Sequence, residues 1–190
     1  TGAGRAGGHL PHAWKDQHAA WNRGDYDKWI EAKKDTVTMG YFTREDIPFH
    51  YALADAFTIC DQYFCSIPGN THPNRMYLMT GMVDPLGTGG GPLLDNTDYI
   101  DNQFSDVKLP PFTWTTYPER LEQAGISWQV YQQGTDFDKS SGNFGTNMLA
   151  CFENFVHAPI GSSLHARGMS ARTVAHLKAD VEQGTLPHVS

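Results

Sequence analysis

A threonine at the start of a predicted helix is the side chain with the clearest chemical potential in this sequence. Thr71 follows a tight turn at 66–70 and opens a segment whose residues favour a helix as far as Gly81. Backbone N–H groups and the positive end of the helix dipole favour a bound phosphate at such a position. The Thr71 hydroxyl would then lie within reach of the phosphorus. A free threonine hydroxyl is a weak nucleophile, however, and needs a base or a metal ion to activate it. On spacing alone, an ordinary helix N-cap worth about 1 kcal/mol is the simpler explanation.

Three histidines, His9, His12 and His18, cluster near the beginning of the chain. Clustered imidazoles can bind a metal ion, donate a proton to a leaving group or bind an anion. Their spacings match no closed metal-binding motif. Taken singly, such residues are more often surface or packing histidines, so spacing alone leaves their role open.

The cysteine count is odd, with Cys60, Cys65 and Cys151. The first two have no second cysteine pair and no histidine pair at zinc-site spacing, which excludes the usual zinc motifs. One disulfide with one free thiol and three reduced core cysteines both fit the pattern. We favour structural cysteines, because a free cysteine is usually buried and behaves as a small apolar residue.

Helical and strand patterns alternate around these residues. Apolar spacing and capping residues predict helices at 25–34, 44–57, 71–81, 117–124, 145–157 and 170–183. Runs rich in β-forming residues predict strands at 57–65 and 126–131, and residues 84–113 form a long connection. The alternation predicts an α/β fold with a mostly parallel sheet flanked by helices.

Composition narrows the classes of protein that fit. The chain has 190 residues, 39% hydrophobic and 12% aromatic, which excludes a disordered protein. A net charge of −7 with scattered basic residues argues against nucleic-acid binding. No apolar run approaches the ~20 residues that a membrane helix needs. Because the chain starts at Thr1 and carries no signal region, we expect a fragment truncated at both ends.

Several motifs follow one another in an order that is typical of one family. They are His12-Ala13-Trp14, Asp46-Ile47-Pro48-Phe49-His50, Cys60-Asp61-Gln62-Tyr63, Gly69-Asn70-Thr71-His72-Pro73-Asn74-Arg75 and Trp114-Thr115-Thr116-Tyr117-Pro118. Together they resemble the bacterial phosphoesterase family, which holds the phosphatidylcholine-hydrolysing phospholipases C and related acid phosphatases. The resemblance spans nearly the whole chain from His9 onward. It implies an alkaline-phosphatase-like α/β fold that is incomplete here, with residues 1–190 as part of a single phosphoesterase catalytic domain.

The resemblance also implies roles for two residues. In that family the hydroxyl residue just before x-Pro-Asn-Arg is both the nucleophile and a metal ligand, and here it is Thr71. The histidine of the His-x-Trp motif lies near the phosphate and matches His12, which implies support of the transition state or the leaving group. A divalent metal ion is implied as cofactor. The family's Glu-Asn metal pair and its paired acidic ligands are expected outside residues 1–190.

Three positions depart from the family pattern: Phe64 stands where a histidine is usual, Asn70 where proline or threonine is common, and Pro11 where an aspartate often precedes the His-x-Trp motif. We expect these departures to alter the fit of the headgroup more than the central chemistry.

From this resemblance we expect a phospholipase C-type hydrolase. It would cleave phosphatidylcholine to diacylglycerol and phosphocholine through a phosphothreonine intermediate on Thr71. The alternatives are an acid phosphatase of the same superfamily and a non-catalytic domain that holds a ligand with aromatic residues and glycine-rich loops. The expected partners are a phospholipid or another phosphate ester, with peripheral contact at a membrane surface and no nucleic acid. The expected location is outside the cytoplasm, as a secreted, periplasmic or cell-surface protein.

Overall fold

The structure is a computed structural model that describes residues 10–96, 111–133 and 147–190. Its backbone divides into two compact units, Thr1–Asn70 and Thr71–Ser190, and each is described by itself. Within the described ranges, no helix is long and apolar enough to cross a lipid bilayer. The assignment of residues 1–190 to one catalytic domain stays a prediction.

Short helices form most of the regular structure in the described part of the first unit. They are α1 (Trp14–Trp21), α2 (Trp29–Lys33) and α3 (Pro48–Ala56), with 3-10 turns at Asn22–Gly24 and Thr36–Met39. Pro48 occupies the first position of α3, where its missing N–H costs no hydrogen bond. The helices predicted at 25–34 and 44–57 are therefore present in shortened form.

A buried lysine lies between α1 and α2, which pack against each other. Lys33 is only 4% exposed, and its Nζ donates to Gln17 Oε1 at 3.0 Å. The same Nζ lies 5.6 Å from the centre of the Trp29 ring. Burial lowers the pKa of Lys33, because removal from water disfavours the charged ammonium. We interpret Lys33 as a structural contact that holds α2 on α1.

The second unit carries four α-helices in its described part. They are α4 (Thr71–Thr80), α5 (Tyr117–Gln123), α6 (Glu153–Val156) and α7 (Val174–Gln183), with a 3-10 turn at Met148–Cys151 and a π-helical turn at His165–Met169. The predictions at 71–81, 117–124 and 170–183 are confirmed to within a few residues. Local signals set these ends: Gly184, for example, closes α7 in the left-handed region at φ 67°.

A capping box starts α5. Glu119 Oε2 accepts from the Thr116 backbone N–H at 2.8 Å and from its hydroxyl at 2.9 Å. The Glu119 N–H in turn donates to Thr116 Oγ1 at 3.4 Å. Because both residues satisfy groups that the helix leaves unpaired, this short helix has a well-defined start.

The core of the second unit is built from large side chains under 2% exposed, among them Phe152, Phe155, Met76, Met148 and Leu149. Helix α4 packs against the Met148–Cys151 turn and against α5. The helix that carries Thr71 is thus fixed to the best-packed part of this unit.

The predicted parallel sheet is not present in the described part of the chain, and this expectation was wrong. The β-pairing there consists of two isolated parallel bridges, Phe112 with Phe152 and Trp128 with Val189. Residues 57–65 form no strand, and Phe57 and Phe64 are exposed. β-forming residue types favour a strand only where a partner strand covers them, so composition alone misled the prediction.

The single helix predicted at 145–157 is also wrong, although residues 145 and 146 lie outside the described residues. The described part contains the 3-10 turn Met148–Cys151 and the short α6, and the extended residue Phe152 separates them. Phe152 joins the bridge to Phe112, and Glu153 N–H donates to the Phe112 carbonyl at 3.0 Å. This non-local pairing draws the backbone away from a continuous helix.

Candidate active site

Thr71 is exposed and is the first residue of α4. A ten-residue helix concentrates partial positive charge at its N-terminus, which favours an anion there. The structure therefore places the Thr71 hydroxyl where solvent or a substrate can reach it. The predicted position at a helix start is confirmed, while its chemical role stays a prediction.

The first turn of α4 offers fewer N–H groups to a phosphate than the sequence indicates. The His72 N–H donates to Asn96 Oδ1 at 2.8 Å, and Pro73 has no N–H. Asn96 therefore ties the start of α4 to the loop that follows the helix. A phosphate bound here would depend mainly on side chains and on the helix dipole.

Arg75 supplies such a side chain. It is exposed and lies four residues after Thr71, one helical turn along the same face of α4. Side chains on a helix lean toward its N-terminus, so a side chain as long as that of arginine can reach toward Thr71 from this position. Guanidinium groups bind phosphate oxygens in pairs of hydrogen bonds. The sequence placed Arg75 within the family motif without indicating this role.

The far side and the end of α4 are fixed. Met76 is fully buried and Pro73 lies below 2% exposed. Thr80 Oγ1 lies 3.0 and 2.7 Å from the Met76 and Met82 carbonyl oxygens, which share its single hydrogen. Gly81 then ends the helix at φ 79°. These contacts hold the helix in one orientation, which keeps Thr71 in place.

A buried aspartate organises the loop after α4. Asp84 is 2% exposed and accepts from the Gly89 and Gly91 N–H groups at 2.8 and 2.9 Å. It also accepts from the Thr88 N–H and hydroxyl, each at 3.2 Å. The Gly89 bond is the largest cause that lowers the pKa of Asp84. A Cβ on Gly91 would lie 2.7 Å from the Val83 carbonyl oxygen, so the tight loop requires glycine there. Asp84 is thus a structural carboxylate.

His12 belongs to the first unit and is exposed just before α1. Its Nδ1 lies 2.8 Å from the Leu10 carbonyl oxygen. A carbonyl can only accept, so Nδ1 carries the hydrogen and a neutral ring keeps its proton-accepting lone pair on Nε2. Thr71 belongs to the second unit, so the surroundings of His12 and of Thr71 are described separately. The catalytic role of His12 stays a prediction.

The described residues do not form a metal site by themselves. Within residues 10–96, 111–133 and 147–190, no group of three or more histidine, cysteine, aspartate or glutamate side chains is arranged to hold a metal ion. Thr71 would supply one oxygen, which is far fewer than a divalent cation takes. The implied metal ion therefore does not fit these residues alone.

None of the three cysteines forms a disulfide bond. Cys151 is fully buried, which confirms the expected structural role for that residue. Cys60 and Cys65 are exposed, so the expectation of buried core cysteines is wrong for both.

Two polar networks in the second unit were missed from the sequence. Glu122 Oε1 accepts from Trp128 Nε1 at 2.8 Å and from Arg167 Nη1 at 2.5 Å. Asp180 Oδ2 accepts from the Tyr131 hydroxyl at 2.6 Å and from Arg172 Nη2 at 2.5 Å. Two of the four pairs join residues 45 and 49 positions apart, which no local spacing indicates.

Comparisons with known proteins place the chain in a family. The sequence profile of the Phosphoesterase family matches residues 3–190. The chain is 47% identical to the "Non-hemolytic phospholipase C" of Burkholderia pseudomallei over 95% of its own length and 27% of the relative's. It is 45% identical to the "Non-hemolytic phospholipase C" of Pseudomonas aeruginosa over 100% of its own length and 26% of the relative's. It is 39% identical to the "Phospholipase C A" of Mycobacterium tuberculosis over 94% of its own length and 34% of the relative's.

The chain thus spans only about a quarter to a third of the length of these relatives. The match nevertheless covers almost all of this chain, including the turn that carries Thr71. The resemblance inferred from the motifs is confirmed, and the chain belongs to the Phosphoesterase family.

Proposed function

We propose that this chain is part of a phospholipase C-type hydrolase that cleaves the phosphodiester of phosphatidylcholine. The observation that carries the proposal is the 39–47% identity, over 94–100% of the chain, to three proteins named phospholipase C. The exposure of Thr71 at the start of α4 supports it, because a nucleophile must be accessible to the substrate.

In the proposed reaction, Thr71 Oγ attacks the phosphorus and the bond from phosphorus to the diacylglycerol oxygen breaks. The Thr71 proton passes to a base, and the leaving oxygen gains a proton. The intermediate is a phosphothreonine that still carries choline on its phosphate. Water then hydrolyses the bond between the Thr71 oxygen and phosphorus and releases phosphocholine, so one difficult displacement becomes two easier ones. Arg75 and the N-terminus of α4 would stabilise the charge that develops on the phosphate oxygens.

We assign His12 a supporting role, donation of a proton to the leaving group or stabilisation of the transition state. The hydrogen bond from Nδ1 to the Leu10 carbonyl supports this role, because it fixes the ring and leaves Nε2 to exchange a proton. We also propose a divalent cation with Thr71 as one ligand. Since the described residues contain no group of ligands for it, the others would come from elsewhere in the full-length protein. Such an ion would supply positive charge beside the phosphate.

We further propose that the enzyme acts outside the cytoplasm and meets its substrate at a membrane surface. The phospholipase C names of the relatives support the contact with a membrane surface, because phospholipids are membrane lipids. Fractionation of the native producer, with activity measured in the culture medium, periplasm and cytoplasm, tests it.

The central test compares Thr71→Ala and Thr71→Ser in the full-length protein. Release of phosphocholine and diacylglycerol should fall by at least about 10³-fold in Thr71→Ala and recover in part in Thr71→Ser. Thr115→Ala is the matched control, because it removes an exposed threonine hydroxyl that lies outside α4 and should keep kcat. Wild-type turnover in Thr71→Ala would refute the proposal.

Two further measurements sharpen the test. Mass spectrometry of protein quenched during turnover of phosphatidylcholine should find a phosphocholine adduct on the peptide that contains Thr71. Faster hydrolysis of a simple phosphate monoester than of phosphatidylcholine would instead indicate the phosphatase alternative.

A further inference from the structure

A cavity of about 220 Å³ lies entirely within the second unit. Its wall includes Trp128, Tyr131, Arg167, Arg172, Asp180 and Thr185. Thr71 does not line it, so the chemistry proposed for that residue does not use this cavity. Two arginines therefore lie in the wall of one small cavity.

Arg172 is held in a fixed orientation at this wall. Its Nη2 donates to Asp180 Oδ2 at 2.5 Å, and the guanidinium lies 5.7 Å from the centre of the Tyr131 ring. The Tyr131 hydroxyl donates to the same oxygen at 2.6 Å. A carboxylate and an aromatic ring together therefore orient the planar guanidinium.

Arg167 is oriented in a similar way from another direction. Its Nη1 donates to Glu122 Oε1, which also accepts from the indole N–H of Trp128. Trp128 is 3% exposed, so this carboxylate is anchored to a buried ring. Both arginines keep about a third of their side-chain surface open, at 38% for Arg167 and 35% for Arg172.

The two arginines carry more N–H donors than their carboxylate partners accept. A guanidinium carries five N–H groups. The Nε of Arg172 is buried, and among the described residues it has no hydrogen-bond acceptor. The one carboxylate in the wall is already engaged: Asp180 Oδ2 accepts from Tyr131 and Arg172, and Oδ1 accepts from Thr185 Oγ1 at 3.3 Å. A ligand that brings several acceptor oxygens would complete this arrangement.

We propose that the cavity binds a phosphate-type oxyanion, with Arg172 and Arg167 as its ligands. The planar fork of arginine matches tetrahedral oxyanions through pairs of hydrogen bonds, and orientation before binding reduces the entropy lost. The volume exceeds that of one phosphate, so the anion can be inorganic phosphate or the phosphate of a small ester. The proposal does not depend on the hydrolase activity.

Titration calorimetry on the full-length protein tests the proposal in the Thr71→Ala background, which prevents turnover. Inorganic phosphate and phosphocholine are the two probes, and choline chloride is the control for the organic cation. We expect saturable binding of phosphate, and an affinity at least about tenfold lower in Thr71→Ala/Arg172→Lys. Lysine keeps the ion pair with Asp180 but loses the fork and the Nε donor, so the fold should survive.

Arg167→Lys is the second variant and should also weaken binding. Arg120→Lys, at an exposed position of α5 outside the cavity, is the matched control and should not. Tighter binding of phosphocholine than of phosphate would indicate an ester as the natural source, and equal or weaker binding would indicate free phosphate. The proposal is refuted if Thr71→Ala shows no saturable phosphate binding, or if both lysine variants bind as well as the Arg120 control.

Discussion

Gly168 lies where the structure has no room for another carbon. A Cβ at this position would lie 2.8 and 2.9 Å from two carbons of the Phe155 ring and 3.4 Å from Leu149 Cδ1. Phe155 is 1% exposed and Leu149 is 0% exposed, so neither side chain can move aside into solvent. Gly168 also follows Arg167, and the close packing therefore helps to set the backbone beside the cavity.

We expect Gly168→Ala to destabilise the protein by about 1–2 kcal/mol. Overpacking a core costs about 1–3 kcal/mol, and the loss of glycine's freedom in the unfolded chain returns about 0.4–1 kcal/mol. Chemical denaturation of the full-length protein, followed by circular dichroism, should show a lower midpoint with an unchanged m-value.

Phe155→Leu serves as the partner in a double-mutant cycle, because leucine removes the ring atoms that the new methyl group would meet. The two changes together should cost less than their sum, with a coupling of about 1 kcal/mol. A Gly168→Ala protein as stable as the wild type, or strictly additive changes, would show that the close contact with Phe155 is not present in solution.

Three more substitutions test the features that support the site. Met76→Ala should cost about 2–5 kcal/mol in urea denaturation, because it empties a fully buried position beneath α4. Thr116→Ala should cost about 1 kcal/mol through loss of the capping box, while Thr115→Ala, an exposed neighbour, should change little. Asp84→Asn should lower stability at neutral pH and reduce the loss of stability on acidification. The Gly89 N–H bond lowers the pKa of Asp84 below 3.8, so its stabilising contribution is present above that pH and is lost as the pH falls through the lowered value. An acid-denaturation profile identical to that of the wild type would contradict this role for Asp84.

Helices α2 to α5 and α7 could be predicted from sequence because their signals are local, whereas α1 was not predicted. Pro48 at the start of α3, the Thr116 and Glu119 pair at α5 and Gly184 after α7 act within a few residues of themselves. The strands could not, because a β-strand depends on a partner that residue types do not identify. Residues 57–65 are of strand-forming types but form no strand. Phe152 lies in a segment with helical spacing, yet it is extended and pairs with Phe112, which is 40 residues away in sequence.

For the candidate site, too, local features could be predicted from sequence and long-range contacts could not. The place of Thr71 at a helix start followed from turn and capping signals, but its proposed chemistry came from the family motif. The hydrogen bond from His72 to Asn96 joins residues 24 apart, and that between Arg167 and Glu122 joins residues 45 apart. Such contacts depend on the folded chain and are not encoded in any short pattern.

The fluorescence of Trp128 can report on the ion pair between Glu122 and Arg167, because both Trp128 and Arg167 donate to the same Glu122 oxygen. Of the five tryptophans, all of which lie in the described ranges, Trp128 is the one that is buried, and its indole N–H donates to the oxygen that also holds Arg167. Indole emission responds to charge and polarity near the ring. Any event that draws Arg167 away from Glu122 will therefore change the light that Trp128 emits, without an added dye.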